Sequence, residues 1–110
     1  MAAKKKLSLE YRPRAAFDIE SIVLYVGEVL KSPKAAKGIY EDICLKVGEL
    51  CEMPSVGKIF RDDLLGREYR YALVKSYRIF YSYDSSKLTF WRVVHTRQDI
   101  DDFALVGWDE

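Results

Sequence analysis

Side chains that could bind a negatively charged group are concentrated in the C-terminal half of the chain. Residues 67–97 hold seven basic residues, namely Arg67, Arg70, Lys75, Arg78, Lys87, Arg92 and Arg97. The same segment holds two acidic residues, Glu68 and Asp84, and the one histidine of the chain, His95. Histidine has an ordinary pKa near neutrality, so His95 could act as a general acid or base. This segment therefore predicts an electropositive surface with one titratable group.

Neither a metal site nor a disulfide is predicted. Cys44 and Cys51 lie in a predicted helix, and their spacing separates them by about 10 Å at roughly 1.5 Å per residue. A disulfide needs Cα atoms within about 7 Å, and a single histidine leaves no zinc-binding set. We expect two reduced cysteines, no metal and no cofactor.

The composition is that of an ordinary soluble protein, with 49% hydrophobic and 32% charged residues. No apolar run approaches the roughly 20 residues that a membrane-spanning helix needs, and the basic residues 1–6 are not followed by the apolar region of a signal peptide. We expect a cytoplasmic protein with no membrane partner. The net charge is only +1, which argues against a broad phosphate-binding surface.

In the basic segment, successive side chains alternate between two faces as they do in β-strands. Residues 77–83 place Tyr77, Ile79, Tyr81 and Tyr83 on one face, and Arg78, Phe80 and Ser82 on the other. Residues 88–97 place Leu88, Phe90, Arg92 and Val94 on one face, and Thr89, Trp91, Val93, His95 and Arg97 on the other. The short run 84–87 between them favours a β-hairpin. Because burying an unpaired charge is very costly, the arginines of these strands must be solvated or paired.

The rest of the chain supplies the elements that position this hairpin. Leu7, Leu9 and Tyr11 alternate with polar residues and predict a first strand. Two apolar stripes at helical spacing follow, one ending near Leu30 and one running from Ala36 to Cys51 in a helix that Pro33 begins. We interpret residues 58–66 as a polar connector and residues 67–75 as a further strand. The segment from residue 98 predicts a short helical tail.

The predicted fold class is α+β, in the order β-α-α-β-β-β. Two amphipathic helices joined by so few residues are expected to be antiparallel neighbours, and their apolar stripes need a sheet face to cover. We therefore predict two antiparallel helices packed on one antiparallel sheet, in a single domain of residues 1–110.

Two short patterns in the hairpin resemble a known protein superfamily. The run Tyr77-Arg78-Ile79-Phe80-Tyr81 is followed by a short turn, a second strand and the run His95-Thr96-Arg97-Gln98-Asp99. These patterns and the order of the elements resemble the RelE/ParE superfamily of bacterial toxins. The resemblance implies the toxin of a type II toxin–antitoxin system, of the plasmid-stabilisation type, with a cognate antitoxin as its partner.

One branch of this superfamily, the RelE-like ribonucleases, cleaves messenger RNA on the ribosome. The resemblance places Arg78 and Arg97 near phosphate-stabilising arginines of that branch, and His95 could supply an acid or base. Two positions depart from the ribonuclease patterns. Phe103 stands where RelE-like members carry a tyrosine, and Thr96 follows His95 where YoeB-like members carry a tyrosine. The set of acid and base groups is therefore incomplete.

Residues 92–99 are instead similar to the ParE branch, whose members poison DNA gyrase and have no recognised catalytic residues. We accordingly predict a ParE-like inhibitor of DNA gyrase that a cognate antitoxin neutralises. The alternatives are a ribosome-dependent RelE-like endoribonuclease that uses Arg78, His95 and Arg97, and a degenerate module that only binds its antitoxin. The predicted face for target or antitoxin binding consists of Arg70, Arg78, Arg92, His95 and Arg97.

These residues also have structural interpretations. Arg78 and Arg92 could pair with the acidic tail or with Asp62 and Asp63. His95 could hydrogen-bond to a backbone group or to Asp99 at the end of its strand. The sequence leaves both interpretations open.

Overall fold

The computed structural model describes residues 6–62 and 66–97. In chain order, the elements are β1 (Ser8–Tyr11), α1 (Pro13–Leu24), a π-helical turn (Tyr25–Val29), α2 (Pro33–Glu52), a 3₁₀ turn (Pro54–Val56), β2 (Lys58–Asp62), β3 (Arg67–Val74), β4 (Tyr77–Tyr83) and β5 (Lys87–His95). The strands form one sheet in the order β1-β5-β4-β3-β2. Both helices pack on the sheet, α1 against β5 and α2 against β3 and β5. The α+β fold class and the β-α-α-β-β-β order are confirmed.

The two helices begin at prolines, because a proline in the first turn loses no helical hydrogen bond. Their apolar stripes face the sheet, and Ile19 and Ile43 are among the buried residues. The π-helical turn continues α1, since the N–H of Leu30 donates to the carbonyl of Tyr25 at 3.0 Å. Lys31 then takes a left-handed conformation, with φ of 55°. The predicted end of the first helix near Leu30 therefore coincides with this turn.

The sheet differs from the predicted one in two details. Strand β1 runs parallel to β5, with Leu9 opposite Leu88, so the sheet is mixed rather than purely antiparallel. Residues 58–62 of the predicted connector form strand β2, which pairs antiparallel with residues 67–71 of β3. The alternation of Lys58 and Phe60 with Ile59 and Arg61 fits an edge strand. The predicted helical tail lies outside the described residues.

The β4–β5 pair contains a β-bulge that changes which residues share a face. Tyr81 lies opposite Phe90, but Phe80 lies opposite Arg92, so Trp91 is the extra residue on β5. Val93 therefore joins the core under the helices, whereas Val94 packs on the other face. The predicted grouping of Val94 with Leu88 and Phe90 is wrong, because the bulge reverses the alternation after Trp91.

The two faces of the sheet bury different kinds of residues. The helix-covered face carries the large aliphatic core, which includes Ile79, Leu88 and Val93. The opposite face, called the aromatic face below, carries a smaller cluster: Phe60, Tyr69, Tyr71, Phe80, Trp91 and Val94. Among the helices of residues 6–62 and 66–97, none is long and apolar enough to cross a membrane.

Candidate functional site

The five predicted contact residues do not form one surface. Arg78 lies on the aromatic face, beside the ring of Tyr71. His95 lies opposite Tyr77 on the helix-covered face, and Arg92 lines the same small cleft beside α1. Arg70 also lies on that side but near the 3₁₀ turn, and Arg97 is exposed just after β5. The structure therefore divides the predicted face into four separate environments.

Arg92 is held in a nearly buried ion pair with Asp18 of α1. Its Nε donates to Oδ2 of Asp18 at 2.7 Å and its Nη2 donates to Oδ1 at 3.3 Å, a bidentate arrangement. The side chains are only 13% and 11% exposed. Oδ2 of Asp18 also accepts the backbone N–H of Val93 at 3.0 Å. This cluster, the Asp18–Arg92 clamp, joins α1 to the bulged strand.

The bulge explains why Arg92 reaches α1. The extra residue, Trp91, interrupts the pleat, and a bulge re-aims the side chains beside it. Asp18 is the functional partner that sequence reasoning missed, although a signal was present. Asp18 lies three residues after Ala15 and one before Ile19, within the apolar stripe of α1. A carboxylate on a core-facing stripe requires a buried partner.

His95 lies next to this clamp. Its Nδ1 accepts the backbone N–H of Arg97 at 3.0 Å. Its ring meets the ring of Tyr77 edge to face, with centroids 5.3 Å apart. The contact to a backbone group agrees with the structural interpretation of His95.

Arg70 and Tyr81 hydrogen-bond to the segment that leads from α2 into β2, and this arrangement is called the latch below. The Nη1 of Arg70 donates to the carbonyls of Ser55 and Gly57 at 3.1 and 2.8 Å. Within the same latch, the hydroxyl of Tyr81 donates to the carbonyl of Pro54 at 2.6 Å and accepts the N–H of Gly57 at 3.0 Å. Burial raises the pKa of Tyr81 above its ordinary value of 10.0. The latch therefore fixes the 3₁₀ turn on the sheet through both charged and neutral hydrogen bonds.

Arg78 has the most accessible setting for an anionic partner among the arginines on β4 and β5. Its guanidinium carbon lies 5.7 Å from the ring centre of Tyr71. A cleft of about 290 Å³ beside it is lined by Phe60, Tyr71, Arg78 and Phe80. Arg78, a partly buried residue beside the ring of Tyr71, therefore presents a positive charge in a cleft otherwise lined by aromatic residues.

The residues of the alternative ribonuclease are not brought together. Arg78 lies on the aromatic face and His95 on the helix-covered face, so the sheet separates them. Phe103, the position that departs from the ribonuclease pattern, lies outside the described residues. In the part of the chain that the structure describes, no group of three or more His, Cys, Asp or Glu side chains could hold a metal ion.

Comparisons with known proteins agree with this fold. Residues 9–100 match the family described as "ParE toxin of type II toxin-antitoxin system, parDE". A chain of the solved structure "Chromosomal ParDE TA system from P. aeruginosa" is similar with a TM-score of 0.66 at 20% identity, over 82% of this chain and 96% of that chain. No curated protein matches the sequence. Because the family match spans most of the sequence, this chain belongs to the ParE toxins of type II toxin–antitoxin systems.

Proposed function

We propose that this toxin inhibits DNA gyrase without cleaving nucleic acid itself, and that a cognate antitoxin neutralises it in the cytoplasm. The observation that carries this proposal is the match of residues 9–100 to the ParE family. In the superfamily that the sequence resembles, the ParE branch acts on gyrase and the RelE-like branch acts on messenger RNA.

The arrangement of the candidate catalytic residues supports the choice of branch. A ribonuclease needs a proton-transfer group and a phosphate-stabilising cation at one site, and each acid or base typically contributes about 10²–10⁴-fold. Arg78 and His95 lie on opposite faces of the sheet, and Arg92 is occupied by Asp18. An inhibitor that acts only by binding does not need these residues at one site.

The target is tested with purified protein and purified gyrase. We expect the toxin to block supercoiling of relaxed plasmid and to increase the amount of cleaved DNA that remains bound to gyrase. In parallel, ribosomes carrying messenger RNA should yield no new fragments when the toxin is added. Codon-dependent cleavage of the message, abolished by His95→Ala or Arg97→Ala, together with unchanged supercoiling, would establish the RelE-like alternative instead.

The antitoxin is tested by co-expression with the product of the neighbouring reading frame. The similar solved structure belongs to a ParDE toxin–antitoxin system, which supports a protein partner of this kind. We expect the two chains to elute together at micromolar concentration and the growth inhibition to disappear. Separate elution, with growth inhibition unrelieved, would contradict this part of the proposal.

A further inference from the structure

The solvent side of α1 and of the π-helical turn after it carries exposed apolar side chains. Phe17 and Leu24 of α1 are 64% and 50% exposed. Tyr25 and Val29 of the π-helical turn are 54% and 64% exposed. A single exposed apolar side chain is common on a protein surface, but four on one short helical segment are typical of an interaction surface.

The exposed residues of this segment have the spacing of a seam between two packed helices. Arg14, Phe17, Ser21, Leu24 and Glu28 follow one another at intervals of three, four, three and four residues, and all five are exposed. Residues three and four apart lie on the same side of a helix, and this alternation of intervals is that of a coiled-coil seam. The set, called the outer stripe below, extends about 21 Å at roughly 1.5 Å per residue.

The outer stripe is separate from the surface that fixes α1 on the sheet. Ala15, Ile19 and Val26 of the same helical segment are buried in the core under the helices. The packing of the segment against the sheet therefore uses other residues than the outer stripe. Substitutions in the outer stripe should accordingly leave the fold intact.

The two ends of the outer stripe carry opposite charges. Arg14 lies at the start of α1 and Glu28 lies in the π-helical turn, each seven residues from Ser21. Within residues 6–62 and 66–97, neither of these two side chains forms an ion pair. Both charges are therefore open to a partner.

This arrangement is complementary to itself. When a second copy of the helix packs antiparallel, with a two-fold axis near Ser21, Arg14 meets the partner's Glu28 and Phe17 meets the partner's Leu24. The small side chain of Ser21 lets the two helices approach closely where they cross. The outer stripe of one copy thus supplies both the apolar surface and the charges that the other copy needs.

We propose that this toxin forms a two-fold symmetric homodimer in which the outer stripes of two copies pack antiparallel. A single pair of helices buries less than the roughly 800 Å² per partner of a standard interface, so the dimer is weak and depends on concentration. Because α1 packs on the other side of the sheet, Arg78 and the aromatic face stay open in both copies. The dimer requires neither gyrase nor an antitoxin, so its tests are independent of the proposed function.

The first test is sedimentation equilibrium of the full-length toxin alone, from about 1 to 300 µM. We expect a monomer–dimer equilibrium with a Kd on the order of 10–100 µM. Phe17→Asp and Leu24→Asp should each raise this Kd about tenfold or more, because a carboxylate would be buried against apolar side chains. The matched control is Leu45→Asp, at a residue of α2 that is 67% exposed. The control should dimerise as the unmodified toxin does, and all three variants should keep its melting temperature at the lowest concentration.

The second test reverses the two charges in the same measurement. Arg14→Glu and Glu28→Arg should each raise the Kd about three- to tenfold, because each places like charges at both ends of the antiparallel interface. The double variant restores opposite charges, and its Kd should return to within about twofold of the unmodified value. This recovery is specific to the antiparallel register, since parallel helices would place Arg14 beside the partner's Arg14.

Three results would overturn the proposal. A toxin that stays monomeric at the highest concentration excludes the dimer, and weaker antitoxin binding by Leu24→Asp would then assign the outer stripe to the antitoxin. Equal dimerisation of Leu24→Asp and Leu45→Asp excludes the outer stripe as the interface. Single charge reversals that leave the Kd unchanged exclude the antiparallel packing.

Discussion

The two faces of the sheet use the same residue type for different purposes. At the contact with α1, Arg92 is 13% exposed and is held by Asp18 with two hydrogen bonds. On the aromatic face, Arg78 contacts the ring of Tyr71 and borders an open cleft. Buried ion pairs must satisfy most of their hydrogen bonds within the protein, whereas a half-exposed guanidinium can still receive a partner. From this difference we expect that Arg92 maintains the fold and that Arg78 serves recognition.

Arg92→Ala tests most directly whether Arg92 stabilises the fold. Among the described residues, this change leaves the buried carboxylate of Asp18 with the N–H of Val93 as its remaining partner. Removing one member of a buried pair typically costs about 3–5 kcal/mol. We expect a loss of this size in the free energy of unfolding, measured by urea denaturation. Arg92→Lys keeps the charge but not the bidentate geometry, so its free energy of unfolding should lie between those of the unmodified protein and of Arg92→Ala. A loss below about 1 kcal/mol for Arg92→Ala would show that the clamp is not structural.

Gly57 tests how tightly the latch is packed on the helix-covered side. A Cβ at this position would come within 2.2 Å of the Tyr81 hydroxyl oxygen, so Gly57→Ala forces the latch to move. Overpacking of this kind typically costs about 1–3 kcal/mol in the free energy of unfolding. The matched control is Gly48→Ala in α2, where a Cβ meets no atom within 4 Å. The control should be neutral or stabilising, because alanine is the better helix former. Equal effects of the two changes in a thermal melt would contradict this packing.

Tyr81 adds a pH dependence to the same region. Burial raises the pKa of Tyr81, and also those of Tyr11 and Tyr77, above 10.0. As the pH rises, the unfolded chain therefore loses these tyrosine protons before the folded protein does. The stability that the protonated tyrosines contribute is complete below about pH 10, and it is lost as the pH rises through their raised folded-state pKa values.

We therefore expect Tyr81→Phe to have two effects on urea denaturation. At neutral pH it should cost about 1–3 kcal/mol, because the N–H of Gly57 loses its partner. Between pH 9 and 11 the stability of the variant should fall less steeply than that of the unmodified protein. The remaining slope belongs to the other groups with raised pKa values, which include Cys51, Tyr11, Tyr40 and Tyr77. An unchanged alkaline slope would show that Tyr81 does not keep its proton in the folded state.

The sequence predicted which residues of β4 lie on the helix-covered face, but it did not predict the contacts of Arg92. Alternation along Tyr77, Ile79 and Tyr81 identified the residues of β4 that pack under the helices, because a regular strand has a period of two. The bulge at Trp91 was not predictable, since the residues around it are equally compatible with an uninterrupted strand. Arg92 was therefore assigned to a binding surface, although its partner Asp18 lies 74 residues away in the chain.

The edges of the sheet were predicted less well for a different reason. Strand β2 is short and rich in charged residues, as edge strands commonly are, and this composition also fits a connector. The parallel pairing of β1 with β5 depends on how the helical hairpin crosses the sheet, which local periodicity does not determine. Residues 98–110, where the acidic tail was expected to offset the arginines, lie outside the described residues.

Arg78→Ala tests whether the arginine on the aromatic face acts in recognition rather than in stability. The contact with Tyr71 is half-exposed, and such cation–π contacts contribute about 0.5–1 kcal/mol. We expect the melting temperature to change little and growth inhibition to fall, measured after induction in cells without the antitoxin. Arg78→Lys, which keeps the positive charge, is the control and should retain part of the toxicity. A large loss of stability in step with the loss of toxicity would place Arg78 with Arg92 among the structural arginines.

The smallest expected effect lies away from both faces, at the end of the π-helical turn. Lys31 has φ of 55°, a left-handed conformation that costs a residue with a Cβ about 1–2 kcal/mol, whereas glycine adopts it freely. Lys31→Gly should therefore stabilise the protein by about 0.5–1 kcal/mol, after the greater chain entropy of glycine in the unfolded state is subtracted.

Lys75 provides the matched control for this prediction, since its φ is 52° and it also pairs with Asp42. Lys75→Gly relieves the same backbone conformation but removes an exposed ion pair, so its gain should be smaller. Thermal melts of the two variants, run beside the unmodified protein, measure both effects. A destabilised Lys31→Gly would mean that the lysine side chain contributes more at this turn than its backbone conformation costs.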